Sequence, residues 1–158
     1  MVGRSGLLVT FAQIALFSAL ALLMFTKTAN APRGIRNNNG GNIRWDGVTD
    51  WQGMTGADAQ GFVIFSDPVY GVRAMAKILK SYNARGVFKL GDIVSTWAPS
   101  NENDTESYIK SVEKNTGFGA ETPIIAAQYP AVISALIYHE NGQQPYSEQL
   151  ITNGVLLA

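Results

Sequence analysis

Cysteine is absent from the 158 residues, and histidine occurs once, as His139. Without thiols there is no disulfide, no thiolate metal site and no cysteine nucleophile. A single histidine argues against zinc peptidases and amidases, which build their centres from two or more. Neither sign of charge is in excess: 12 Lys+Arg balance 12 Asp+Glu. A general nucleic-acid binder carries a basic surplus, so nucleic acid is not an expected partner. Internal repeats and charged tails are also missing. No pattern points to a metal or another cofactor, and none is expected. The length suffices for one domain with a sizeable core.

One long apolar run is present, Leu7 to Phe25. As a helix rising 1.5 Å per residue it spans roughly 28 Å, the thickness of a bilayer core. Secretory signal peptides carry a shorter apolar region. Ala29-Asn30-Ala31 has the small-residue character of a cleavage site, but Pro32 follows it directly. The expectation is a retained single-pass membrane anchor in residues 1–32. Secretion after signal-peptide cleavage is the alternative. Arg4 on one side faces Lys27, Arg33 and Arg36 on the other, so the positive-inside rule fixes no orientation.

Residues 33–158 read as a mainly helical α+β domain with a small N-terminal sheet. Asn37 to Asn42 is a turn-rich run whose residues tolerate positive φ. Ile43-Arg44-Trp45 and Phe62-Val63-Ile64-Phe65 are the expected strands, with Asp46-Gly47 as a hairpin signal and Trp51–Gly61 as a loop or irregular hairpin. Asp67-Pro68 predicts a helix start, with Val72, Met75, Ala76, Leu79 and Tyr82 as its apolar stripe. Further helices are predicted before Pro99, from Asp104 to about Asn115, from Thr122-Pro123, and after Ser147.

The most informative stretch is Ala131–Gly142. Pro130 suits a first helical turn, Val132, Ile133, Leu136 and Ile137 recur at helical spacing, and Asn141-Gly142 is a stop signal. Glu140 falls on the same face as Ile133 and Leu136. A helix C-terminus and partial burial both disfavour a carboxylate charge, which suits a group that holds and releases a proton. A frayed, solvated helix end is the bland alternative. His139, about 100° further round an ideal helix, is expected to point elsewhere. Asn-rich turns and the aromatics Trp45, Trp51, Trp97 and Tyr108 suit sugars, whose hydroxyls meet amides and whose C–H faces meet rings. For any one aromatic, core packing is the competing reading.

Arg33–Asn39, Gly41–Arg44, Trp51–Gly53, Tyr70–Ala74, Trp97–Pro99, Asn101–Thr105 and His139–Gly142 together resemble a phage virion-protein family over roughly residues 33–158. Where that family often has proline, this chain has Gly40. Some of its members are thought to degrade peptidoglycan. The segment Ile137–Gly142 also resembles the catalytic helix end of lysozyme-like lytic transglycosylases, in which a glutamate closes a buried helix. There the sheet follows the helix; here it precedes it, as in a circular permutation.

The resemblance implies a virion-associated enzyme, anchored in a phage virion membrane or a host inner membrane, that acts on peptidoglycan glycan strands and has other virion proteins as partners. It implies Glu140 as catalytic residue, and Asn38, Asn42, Trp45, Trp51, Phe65, Asn103 and Tyr108 as substrate-binding residues. Lytic transglycosylation needs one carboxylate. A muramidase needs a second, for which Asp46, Asp50, Glu102 and Asp104 are available. A non-catalytic virion protein and a peptidoglycan endopeptidase are the remaining alternatives.

Overall fold

The computed structural model describes residues 30–101 and 104–158. The expected anchor at 7–25 and the candidate Asn103 lie outside the described residues. The chain divides between Ala31 and Pro32, and the described helices and strands lie in the unit Pro32–Ala158. Among the described residues no helix is long and apolar enough to cross a membrane.

The unit is mainly helical with one two-stranded sheet. A single-turn helix α1 (Arg33–Arg36) leads into the Asn-rich turn. Strands β1 (Met54–Ala57) and β2 (Val63–Phe65) pair antiparallel, Ala57 opposite Val63 and Met54 opposite Phe65, with a bulge between Met54 and Gly56. Helices α2 (Pro68–Ala84), α3 (Leu90–Trp97), α4 (Thr105–Thr116), α5 (Tyr129–Asn141) and α6 (Glu148–Leu156) follow. The caps are where the sequence puts them. Asp67 accepts from the Val69 amide at 2.8 Å, Asp104 from Ser107 at 3.1 Å and Ser147 from Leu150 at 3.2 Å.

Helix α5 is the centre of the packing. Val132, Ile133, Ala135, Leu136 and Ile137 are all buried, so apolar contact surrounds most of its circumference. Helix α4 packs along it, α6 packs on both α5 and α2, and α1 touches it near its end. The inner face of α2 adds Val72, Met75, Ala76 and Leu79. Gly71 lets α2 meet the Asn-rich turn: a Cβ there would lie 2.1 Å from the Asn38 carbonyl oxygen.

Three local expectations change. Ile43–Trp45 does not extend the sheet; only Arg44 bridges to Phe62. Ile43 accepts from the Val63 amide at 3.0 Å, and the Asn-rich turn completes the edge of β2: the Asn39 side chain donates to the Val63 carbonyl and the Asn37 carbonyl accepts from the Phe65 amide, both at 2.9 Å. Strand β1 forms in the stretch read as irregular, because Gly56 (φ 156°) accommodates a bulge. Thr122-Pro123 does not start a helix; Pro123 bridges to Lys89, and only a 3₁₀ turn at Ala126–Gln128 precedes α5.

Candidate functional site

Helix α5 ends with Glu140 half-buried, Asn141 buried, and Gly142 in the left-handed conformation (φ 67°). Asn141 faces inward because it lies one turn beyond Ile137. Its amide nitrogen donates to the carbonyls of Gly40 at 2.8 Å and Ile137 at 2.9 Å. That bond fixes the Asn-rich turn against the helix end and carries Asn42 toward Glu140.

Both carboxylate oxygens of Glu140 are held. Asn42 donates from its side-chain nitrogen to Oε2 at 2.8 Å, and the Tyr108 hydroxyl donates to Oε1 at 3.0 Å. The two donors come from segments 98 and 32 residues away in sequence. Asn42 adopts φ 49°, which Asn tolerates better than most residues. Tyr108 lies one turn into α4, placed there by the Asp104 cap.

Glu140, His139, Tyr108, Ser107 and Asp104 line an open cleft of about 300 Å³. The His139 and Tyr108 rings stack at 3.6 Å with 15° between their planes. Burial, and then the neighbouring Glu140 charge, push the Tyr108 hydroxyl far above the ordinary phenol range. It therefore remains a neutral O–H that can give or take a hydrogen bond. Burial draws the His139 imidazole below its usual value, against the opposing pull of Glu140 and Asp104. The Ser107 hydroxyl and amide hold the Asp104 carboxyl below the ordinary range, so it is anionic near neutrality. Among the described residues no group of three His, Asp or Glu side chains is placed to hold a metal.

Of the sequence-derived candidates, Glu140, Asn42 and Tyr108 come together, but Tyr108 has a different part from the one expected. It is only 2 % exposed, and His139 covers one ring face, so it offers no broad platform to a sugar. Its hydroxyl positions the carboxylate instead. Phe65 is a core residue at 1 % exposure, because Val63 and Phe65 share the inward face of β2. Asn38 is also structural: it has φ 52° and donates to the Phe65 carbonyl at 2.9 Å. Trp51 packs against the core, and Trp45 is exposed with its indole N–H tied to the Thr49 carbonyl at 3.1 Å. Neither lines the cleft.

His139 is the residue that sequence reasoning misplaced. Helix α4 lies beside the end of α5 broadly enough that two successive side chains face it. Asp104 was read as a cap and as one of four possible second carboxylates; it is the described one of those four that shares the cleft. Asp46 is instead spent on its own turn, where the Thr49 hydroxyl and the amides of Thr49 and Val48 bring its carboxyl down to about 2.

Fold and site together define a small, mainly helical α+β domain with one buttressed glutamate at the mouth of a cleft. No family model matches the chain. Protein P5 of Pseudoalteromonas phage PM2 is 42 % identical over 146 residues, covering 89 % of this chain and 91 % of that protein. The chain belongs to the family of this phage protein P5.

Proposed function

We propose that the domain is a virion-associated lytic transglycosylase. It cleaves the β-1,4 bond between N-acetylmuramic acid and N-acetylglucosamine, with Glu140 as acid and then base. The observation that supports this reading best is the bracing of Glu140. A helix-terminal carboxyl with both oxygens fixed, facing an open cleft, is oriented for proton transfer.

The roles follow from the donors. The Asn42 nitrogen can only donate, so Oε2 remains an acceptor and the acid proton belongs on Oε1. The Tyr108 hydroxyl can turn to accept that proton's hydrogen bond until substrate arrives. Protonation of the glycosidic oxygen breaks its bond to C1 of the muramic residue. The 6-hydroxyl of that sugar then closes on C1 and returns its proton to Glu140, giving a 1,6-anhydro end. Seen this way, the domain is a lysozyme-like fold in circularly permuted order, with 7–25 as its membrane anchor.

Asp104 supports a second reading, a muramidase, because its anionic carboxyl lines the same cleft. Against it, the Asp104 oxygens already accept from the Ser107 amide at 3.1 Å and hydroxyl at 2.7 Å. Mass spectrometry of digested peptidoglycan separates the readings. Anhydro ends support transglycosylation, reducing ends the muramidase, cut peptides an endopeptidase. An intact wall leaves the non-catalytic virion protein. Asp104→Asn sharpens the test, since Asn also caps helices well. It should preserve transglycosylation and abolish a hydrolysis that depends on Asp104.

A further inference from the structure

A second and larger depression, about 500 Å³, lies between α5, α6 and the end of α4. It shares no lining residue with the Glu140 cleft. Its shape follows from helical spacing. Ala131, Ser134, Ala135 and Tyr138 fall at i, i+3, i+4 and i+7 on α5. Three small side chains make a trough, and the fourth is a ring standing at its end. Tyr138 precedes Glu140 by two residues, about 200° of helical turn, so the two side chains leave opposite flanks of α5.

The lining chemistry narrows the ligand. Tyr138 is 44 % exposed although it belongs to the core helix, so its ring is free for contact. On the facing helix, Glu148 and Thr152 lie one turn apart and have no side-chain hydrogen bond among the described residues. The lining contains no Lys or Arg, and Glu148 is its one charge. An anionic ligand would be repelled, and a wholly apolar one would strand the polar groups. A ring face beside unspent hydroxyl and carboxylate groups matches an uncharged sugar, whose axial C–H bonds cover the ring while its hydroxyls meet the polar edge.

We propose that this groove is a second, non-catalytic binding site for N-acetylated wall sugars. It extends the glycan reading of the protein but does not depend on catalysis at Glu140. A chain holding the wall by one flank of α5 keeps the other flank close to neighbouring strands.

The test uses the full chain in mild detergent with Glu140→Gln in the background, so that substrate is not consumed. Co-sedimentation with purified sacculi is measured, with competition by the linear tetramer of β-1,4-linked N-acetylglucosamine. Tyr138→Ala should weaken binding about tenfold, and Tyr138→Phe, which retains the ring, should restore it. The pair Glu148→Gln and Thr152→Val should weaken binding with the ring intact. Circular dichroism checks that each variant is folded. Unchanged binding by Tyr138→Ala, or no binding by the parent chain, overturns the proposal. Wild-type cleavage with Tyr138-independent binding removes the groove and leaves the catalytic reading standing. Tyr138-dependent binding without any cleavage does the reverse.

Discussion

The turn Asn37–Asn42 and the cleft around Glu140 are joined by one hydrogen bond, from Asn42 to Glu140, and differ in what becomes of their polar groups. In the turn, amides are consumed internally. Asn37 donates to Asp58 at 2.8 Å and Asn38 to the Phe65 carbonyl at 2.9 Å. Asn39 donates to the carbonyls of Ile43 and Val63 and accepts from the Ile43 amide, all at 2.9 Å. It thereby does the work of a short strand while only 1 % exposed. In the cleft, Glu140, Asp104 and Ser107 are braced but remain open to solvent on one side. A run of one residue type thus divides between building the wall and orienting the one group that faces out. Mutations should separate these two tasks.

The largest effect is expected at the cleft. Glu140→Gln is nearly isosteric and should leave thermal unfolding almost unchanged. It cannot give and recover a proton, so the proposed lytic activity should fall by at least about 10²–10⁴-fold. Assay on purified peptidoglycan alongside thermal melting checks both halves. Retained activity would rule out Glu140 as the acid.

The turn should show the opposite pattern. Asn39→Ala leaves the Val63 carbonyl and the Ile43 amide without their side-chain partner in a buried place, while the Ile43 carbonyl keeps the Val63 amide at 3.0 Å. Each such group costs about 1–3 kcal/mol, so a loss of at least about 2 kcal/mol of stability is expected. For a domain of this size that lowers the melting temperature by roughly 4–8 °C. At a temperature where the variant is still folded, its activity per folded molecule should stay close to wild type. A selective loss of turnover without a change in melting would place Asn39 in the site rather than the wall.

The shared elements should give an intermediate result. Asn42→Gly keeps the φ 49° backbone comfortable while removing the donor to Oε2. Tyr108→Phe removes only the hydroxyl and keeps the stack on His139. A hydrogen bond to a charged group is worth about 1.5–3 kcal/mol, so each change should reduce activity about 10- to 100-fold. The double variant should fall by less than the product of the two, because both act through one carboxylate. Full additivity would show that they do not brace the same group.

How much of this was legible depended on how local each signal is. The caps Asp67, Asp104 and Ser147 bond to amides two or three residues on, so the sequence shows donor and acceptor together. The apolar spacing of α5 and the Gly142 stop are equally local. Strand β1 was hidden because Gly56 breaks the alternation that marks a strand. Pro123 read as a helix start, yet its backbone pairs with Lys89 on a distant segment. Asn42 and Tyr108 were chosen for their type; their actual partner lies 98 and 32 residues away and no spacing reveals it. Asn38 stands out by type and Phe65 by the resemblance, and both are structural, which shows that neither ground alone separates the wall from the site. His139 was placed by azimuth from an isolated helix, which carries no knowledge of how wide the neighbouring helix is.

The smallest effect concerns His139 and the pH dependence of stability. Burial lowers its folded-state value below the ordinary 6.5, while the unfolded chain retains that ordinary value. Between the two, the unfolded state binds more protons than the folded one. Stability from this group is therefore present above about 6.5 and is lost as pH falls toward the lowered folded value, where the loss levels off. His139→Gln removes the titration and should flatten that part of the stability curve, measured by denaturant unfolding from pH 7.5 down to pH 5. The Tyr108 stack is weakened by the same change, so a small, pH-independent loss of stability should accompany it. Because His139 lines the cleft without bonding to the Glu140 oxygens, the activity loss should stay below that of Tyr108→Phe. A variant with the wild-type acid slope would assign that slope to the carboxylates, Asp104 first among them. Loss of activity as deep as Glu140→Gln would instead make His139 part of the chemistry, and the division between wall and site would have to be redrawn around it.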